Sequence, residues 1–372
     1  MRIAINTRFL LKGKMEGFGW YTFEICKRLV DNHPEHEFYF FFDRPFEERF
    51  IFGKNVTPVV LSPPARHPIL FYLWFEWAVP RALKKYKIDL FFSPDGYLSL
   101  RTKVPQIGTI HDINFEYYPK DIPFAARHYL RYFFPKFAKK AKKIITVSNY
   151  SKQDIAKTYH LNEDKIHAIW NGASAVFKPL SEIEIENKRK ELSDGKPYFL
   201  FVGALHPRKN LERLLLAFDG YAEKAKEEAF HLVIVGENLW QNKRFTVQPA
   251  TSVRSKIHFT GRLDLEELAK VTGAAAALAY VPYFEGFGIP LVEAMKCGVP
   301  VVAGNLTSLP EVAKDAALYC DPFDVHSIEV ALTEMASNDA KRIDLAQKSL
   351  ERGKAFSWDK AAKEIWEVLN VL

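Results

Sequence analysis

The chain has 372 residues, 48% of them hydrophobic and 26% charged, with a formal net charge of +7. That length exceeds one ordinary core and favours two domains of a soluble globular protein, while the moderate positive charge permits an anionic ligand or membrane surface without requiring either. The three cysteines, Cys26, Cys297 and Cys320, are scattered without Cys-x-x-Cys spacing, which argues against a disulfide framework or a zinc site and for a reducing, cytoplasmic setting.

The first residues hold too short an apolar run for a signal peptide and read as a strand, Ile3–Ile5. No stretch approaches the ~18 uninterrupted apolar residues that span a bilayer. A helix near Tyr21–Asp31 follows, then strands at Glu37–Asp43, Ile88–Ser93, Gln106–His111, Ile144–Ser148 and Ile166–Trp170. After a looser segment, Ala173–Pro197, a second series begins. It has strands at Tyr198–Val202, His231–Val235, Ile257–Phe259, Ala276–Tyr280 and Val299–Ala303, with helices at Leu211–Lys226, Leu265–Thr272 and Pro290–Cys297 between them. Alternation of this kind predicts parallel sheets covered by helices on both faces, built twice, with a boundary near residues 172–180. The last amphipathic helix, Trp358–Leu369, fits either half.

In open parallel sheets ligands sit beyond the carboxyl ends of the strands. The loops there hold Gly17–Gly19, His111-Asp112, Gly203–Asn210, Gly236-Glu237, Gly261-Arg262 and Glu285–Gly288, and two facing sheets would bring them together across a cleft. Glu285 and Glu293 flank a glycine turn and the start of a short helix, where Gly286 and Gly288 admit positive φ and the helix amides suit phosphate. The pair reads either as a site for sugar and ribose hydroxyls or as an ordinary solvated loop. Arg208 and Lys209 stand side by side between a strand and a helix, suited to a departing diphosphate or else simply solvated at a helix start that the dipole disfavours. Gly17-Phe18-Gly19 reads as a phosphate loop or a plain turn; Thr22 stands where a dinucleotide fingerprint needs glycine. His111 and Asp112 suit a sugar hydroxyl and an acceptor hydroxyl, or a turn. No Asp-x-Asp occurs, so no metal-bridged diphosphate site of that kind is expected.

Taken together, Gly17-Phe-Gly19, His111-Asp112, Asn171-Gly172, Gly203 with Pro207–Asn210, Glu285-x7-Glu293 and Ser308–Glu311 closely resemble glycosyltransferase family 4, in order and over essentially the whole chain. The resemblance implies the GT-B fold: two Rossmann-like, doubly wound α/β domains facing across a cleft. Residues 1–175 would bind the acceptor, residues 176–355 the nucleotide sugar, and the helix within 356–372 would return to the first domain. It also implies a retaining, metal-independent hexosyltransferase without cofactor, and the segment from His111 through Phe115 to Pro119 resembles a mannosyltransferase-like branch. The GDP- or UDP-linked donor would meet Arg208 and Lys209 at its diphosphate, Glu293 at the ribose, and Glu285 with the amides of Gly286, Phe287 and Gly288 at its sugar. His111 would meet the 6-hydroxyl region, with Asp112 beside it. Gly19 would offer an amide, Gly203 would adjoin the diphosphate-binding pair, and Gly261, Arg262 and Leu263 would lie along the base. The chain departs from many relatives at Trp20, where they carry Arg or another polar residue on the acceptor side.

The resemblance implies a saccharide or lipid-linked glycan acceptor in cell-surface polysaccharide synthesis. The segment Arg127–Lys143 interleaves tyrosines and phenylalanines with five lysines, which fits either an anionic membrane surface or a core helix with a solvated face. The sequence thus points to a cytoplasmic enzyme, with peripheral attachment to the inner face of the cytoplasmic membrane as a hypothesis and no nucleic-acid motif. An epimerase or hydrolase of nucleotide sugars, or a non-catalytic nucleotide-sugar binder, are the alternatives on the same architecture.

Overall fold

A computed structural model describes residues 1–13, 15–204, 206–236 and 250–370. Glu237, assigned above to a strand-end loop, and the last two residues of the predicted 356–372 segment lie outside the described residues. The chain forms two compact units, Met1–Asn171 with Trp358 onward, and Gly172–Ser357.

Unit 1 holds a seven-stranded sheet of β1 (Arg2–Asn6), β2 (Glu37–Phe42), β3 (Val56–Val60), β4 (Leu90–Ser93), β5 (Gln106–Thr109), β6 (Lys143–Thr146) and β7 (Ile166–Ala168). Its order is β3-β2-β1-β4-β5-β6-β7, with every neighbour parallel. Strand β2 is an unbroken aromatic run because both faces are covered. Phe38, Phe40 and Phe42 join Ile3 and Ile5 on one side, and Tyr39 and Phe41 join Ala4 on the other. Each fully buried Phe contributes roughly 1.5–3 kcal/mol. On the first side, the C-terminal helix Trp358–Asn370 packs against the helix Gly17–Asn32. Trp358, Ala361, Ala362, Ile365 and Leu369 form its buried stripe, Trp366 stacks on His33 at 3.7 Å, and Arg28 Nε donates to Asp359 at 2.5 Å.

Unit 2 holds β8 (Tyr198–Val202), β9 (His231–Val235), β10 (Ile257–Gly261), β11 (Ala277–Tyr280), β12 (Val301–Gly304) and β13 (Ala317–Cys320), ordered β10-β9-β8-β11-β12-β13 and again all parallel. Both sheets reverse strand order beside their first strand, between β1 and β4 and between β8 and β11. Those are the switch points where crevices form in doubly wound sheets.

Among the elements that escape the sequence reading, with the helices Asn149–Tyr159, Val325–Ser337 and Asp339–Gly353, are two edge strands and one charged helix. Strands β3 and β13 lie at sheet edges, where one neighbour suffices; β3 carries Pro58, which an edge tolerates and a central strand does not. The predicted looser segment Ala173–Pro197 contains the helix Glu182–Ser193. That helix is charged nearly all round, so it shows no apolar stripe. It is held by a capping box between Ser181 and Glu184, by Lys188 on Glu267 at 2.6 Å, and by Arg189 Nε on the Ala274 carbonyl at 2.9 Å.

Candidate active site

At the switch point of unit 2, the chain leaving β8 makes a single helical turn, Pro207–Lys209, and Asn210 then takes a left-handed conformation with φ of 62°. Asn210 Nδ2 donates to the carbonyls of Val281 at 2.9 Å and Pro322 at 2.6 Å, which ties this loop to the ones after β11 and β13. The Tyr283 amide donates to the Arg208 carbonyl at 3.1 Å. Three loops from distant segments of the chain are therefore fixed as one body.

That junction brings Arg208, Lys209 and Glu285 into contact. Arg208 Nη1 donates to Glu285 Oε1 at 2.6 Å and to the Phe284 carbonyl at 3.1 Å. Lys209 Nζ donates to the same carboxylate oxygen and to the Tyr280 hydroxyl, the latter at 2.6 Å. Glu285 is 7% exposed, and its backbone is held from both ends. Its amide donates to Thr307 Oγ1 at 3.3 Å, and Ser308 Oγ donates to its carbonyl at 2.9 Å. Burial alone would raise the Glu285 carboxyl. The positive charges of Arg208 and Lys209 override that and hold it at about 2. Where the sequence reading set Glu285 apart from the two cations, the structure makes one cluster: two positive charges around one carboxylate.

The neighbouring strand ends are narrow. The Gly203 amide donates to the Val235 carbonyl and the Gly236 amide to that of Gly261, at 3.1 and 3.0 Å. A Cβ on Gly236 would lie 2.3 Å from the Gly203 carbonyl oxygen, so no side chain fits there. Beyond β10, Arg262 is exposed and Leu263 half-buried.

The helix beginning at Ile289 runs to Lys296 and is entered through Gly288 at φ of 97°. A Cβ there would stand 2.9 Å from Leu309 Cδ2, so both φ and space require glycine. Gly286 is buried in the same turn. Phe287 turns its ring inward against Phe356, 5.8 Å between centroids, so only its backbone is left for a ligand. Glu293 follows on the second turn, partly buried, and burial pushes its carboxyl up to about 7. The two glutamates thus differ in charge state: Glu285 is an anion at any physiological pH, whereas Glu293 titrates near neutrality.

In unit 1, His111 lies two residues past β5, with Nε2 at 2.8 Å from the Pro94 carbonyl. That contact requires Nε2 to carry the proton, which makes Nδ1 the acceptor. Burial pushes the ring below its usual value, so it is neutral at pH 7. Asp112 Oδ1 accepts the Asn114 amide at 3.1 Å and so begins the next turn. Gly17-Phe18-Gly19 is not a loop ahead of a helix, as the sequence reading had it; it is the helix's own first turn. A Cβ on Gly19 would meet the Phe9 carbonyl at 2.7 Å. Trp20, expected on the acceptor side, packs half-buried against Phe23 at 5.8 Å. The exposed ring is Phe18, 45% accessible, resting edge-on against His111 at 4.8 Å.

Two features had no sequence signal. Tyr280 is the last residue of a buried strand and looks like core. At the unit 1 switch point, Arg8 Nε donates to Asp95 Oδ2 at 2.6 Å, both buried, and Asn6 Nδ2 donates to Asp95 Oδ1 at 2.9 Å and to Ser93 Oγ at 3.0 Å. The Arg8 guanidinium also lies 4.2 Å from the Tyr97 ring and 4.7 Å from that of Phe9. This pair stands at the switch point of unit 1 as Arg208, Lys209 and Glu285 stand at that of unit 2. Among the described residues, no three His, Cys, Asp or Glu side chains gather as a metal-binding group.

Family models match both halves: Glycosyltransferase Family 4 over residues 15–175, and Glycosyl transferases group 1 over residues 182–352. The chain is 29% identical to O-antigen chain mannosyltransferase B of Escherichia coli, over 97% of this chain and 98% of that protein. It is 30% identical to O-antigen chain mannosyltransferase RfbU of Salmonella typhimurium, over 77% of each. Among solved structures, it resembles WaaG, a glycosyltransferase involved in lipopolysaccharide biosynthesis, with TM-score 0.76, 16% identity and 99% of each chain covered. It also resembles Anabaena Alr3699/HepE in complex with UDP and glucose, with TM-score 0.77, 17% identity and 100% of each covered. These two likenesses show the GT-B fold.

Proposed function

The chain belongs to glycosyltransferase family 4, and on that premise we propose that it moves a mannose-type hexose from a nucleoside diphosphate sugar, GDP- or UDP-linked, to a saccharide or lipid-linked glycan in cell-surface polysaccharide synthesis, with retention of configuration and without a metal. The observation that carries this reading is the convergence of Arg208 and Lys209 on Glu285 at the unit 2 switch point. The mannose assignment leans on the two O-antigen mannosyltransferases, and UDP enters as the nucleotide bound by HepE.

In the proposed reaction the bond between the sugar's C1 and the diphosphate oxygen breaks while C1 bonds the acceptor oxygen on the same face. The acceptor's proton passes to the departing phosphate oxygen. Arg208 and Lys209 neutralise the charge growing on the diphosphate, a role whose loss typically costs about 2.7–4 kcal/mol of barrier per donor. Glu285 accepts hydrogen bonds from the donor sugar and Glu293 from the ribose. Two fixed cations supply the electrostatics a metal would otherwise bring, which supports the metal-free reading.

A thermal-shift panel of GDP, UDP, dTDP and ADP with and without EDTA tests it. One nucleotide should stabilise the protein, EDTA should not matter, and Arg208→Ala should abolish most of the response. A response lost on adding EDTA would refute metal independence, and no response to any nucleotide would refute the donor reading.

The proposal extends to peripheral attachment at an anionic membrane face. Among the described residues no helix is long and apolar enough to cross a membrane. The helix Phe124–Lys140 buries Tyr129, Phe134 and Phe137 yet turns Phe124 (70% exposed) and Tyr132 (60%) outward, with Arg131, Lys139 and Lys140 exposed on the same helix. An apolar groove of about 520 Å³ runs between it and Pro68, Ile69 and Tyr72. Each basic residue near an anionic surface contributes about 1 kcal/mol. Sedimentation with phosphatidylglycerol vesicles should carry the protein down at low salt and less so at physiological salt. No sedimentation at either salt would end this part of the proposal.

A further inference from the structure

We propose that Tyr280 is a positioning residue for the donor: its hydroxyl keeps the Lys209 ammonium in place when the diphosphate competes with Glu285 for that ammonium. The inference deepens the donor reading above and rests on it.

Tyr280 ends β11, the strand beside the switch point, and is fully buried. Its ring is walled by the glycine turn: a Cβ on Gly288 would come within 3.8 Å of Tyr280 Cε1. The hydroxyl is the one polar atom of that side chain, and it receives Lys209 Nζ at 2.6 Å, with the ammonium 5.1 Å from the ring centroid. The Glu285 carboxylate lies near enough to the phenol to act on it through its charge. Burial, followed by the Glu285 charge, holds the phenol well above its usual titration range, so it stays neutral and keeps its proton. An ammonium has only donors, so Lys209 donates and the phenol oxygen accepts.

A diphosphate arriving at the switch point displaces the Lys209–Glu285 contact, since both anions need the same N–H groups. The Tyr280 contact need not break, because the hydroxyl lies on the strand side. Without it, Lys209 is a four-carbon flexible stem that must give up rotamer freedom at the moment of binding. With it, the ammonium is already located. Lys209 in turn contacts Glu285, so one rigid ring holds, through the ammonium, the group that meets phosphate beside the group that meets sugar.

Tyr280→Phe removes a single oxygen and keeps the ring. Calorimetric dissociation constants for GDP and UDP are compared among wild type, Y280F, K209A and the double variant Y280F/K209A. Y280F should weaken binding about tenfold, the value expected for one hydrogen bond to a charged group. In the K209A background the same change should do nothing further. A fold-support role for the hydroxyl would instead act equally in both backgrounds, so additive losses overturn the inference, as does wild-type affinity in Y280F. Should Y280F fail to fold, Lys209→Arg decides. The longer guanidinium keeps the charge and loses the fitted phenol contact, so it should weaken binding about tenfold, as expected for Y280F; wild-type affinity in K209R overturns the inference. A wild-type chain that binds neither nucleotide overturns the donor reading and this inference together.

Discussion

Replacing Glu285 by Gln preserves the shape of the cluster and deletes its only negative charge. In the folded chain the carboxyl titrates at about 2, against 4.5 for an ordinary glutamate. At about 1.36 kcal/mol per pH unit, that gap is worth on the order of 3 kcal/mol. The folded value is the lower one, so this stability is fully present above pH 4.5 and is lost as pH falls through the folded value. At pH 7 the E285Q protein should therefore unfold in urea with about 3 kcal/mol less stability than wild type, in line with removing one partner of a buried pair. The two cations left behind then lack a counter-charge. The nucleoside diphosphate that binds wild type should stabilise E285Q by a larger thermal shift than wild type, although the variant transfers no sugar. Equal unfolding midpoints for the two proteins, or a nucleotide shift no larger in E285Q, would refute the claim that Arg208 and Lys209 share one locus with the phosphates.

Three further outcomes follow from the same geometry. Burial raises Glu293 to about 7, so the folded chain keeps a proton that the unfolded chain loses near 4.5; stability should decline as pH rises between those values, and Glu293→Gln should flatten that slope in urea titrations. If ribose hydroxyls bind the ionised form, donor binding should also release a proton, visible as a buffer-dependent heat at pH 6.5 that E293Q lacks. Gly288→Ala meets both a φ of 97° and Leu309; it should lower the melting temperature, with a cost of about 1–3 kcal/mol, and weaken nucleotide binding. Asn210→Ala strips the Val281 and Pro322 carbonyls of a shared donor; a loss of about 1–3 kcal/mol is expected by denaturant titration, with donor affinity falling because the Arg208 loop is no longer tied down.

How much of this was legible from residues differs from element to element. Central strands such as Phe38–Phe42 and Leu232–Val235 announce themselves because two covered faces demand an unbroken apolar run. Strand β3, with Pro58, and the charged helix Glu182–Ser193 do not, since an edge and a capped surface helix need no such run. At the site, the glycine turn and the helix after it were readable because positive φ and a proline at a helix start are local demands. The Gly17–Gly19 segment misled for the complementary reason. Gly19 answers to the Phe9 carbonyl, a neighbour in space that no local pattern displays.

The sequence alone therefore determined two runs of alternating strand and helix, and which loops end at the carboxyl edges, because periodicity and turn chemistry act over a few neighbouring residues. It also supplied the identities of Arg208, Lys209, Glu285 and Glu293. Only the tertiary structure decided that Lys209 and Glu285, 76 residues apart, share one contact with Tyr280 beside it. The same holds for the neutral state of His111 with its proton on Nε2. Those outcomes depend on burial and on which strands become neighbours, and sheet order is set by the whole chain's packing rather than by any stretch of it.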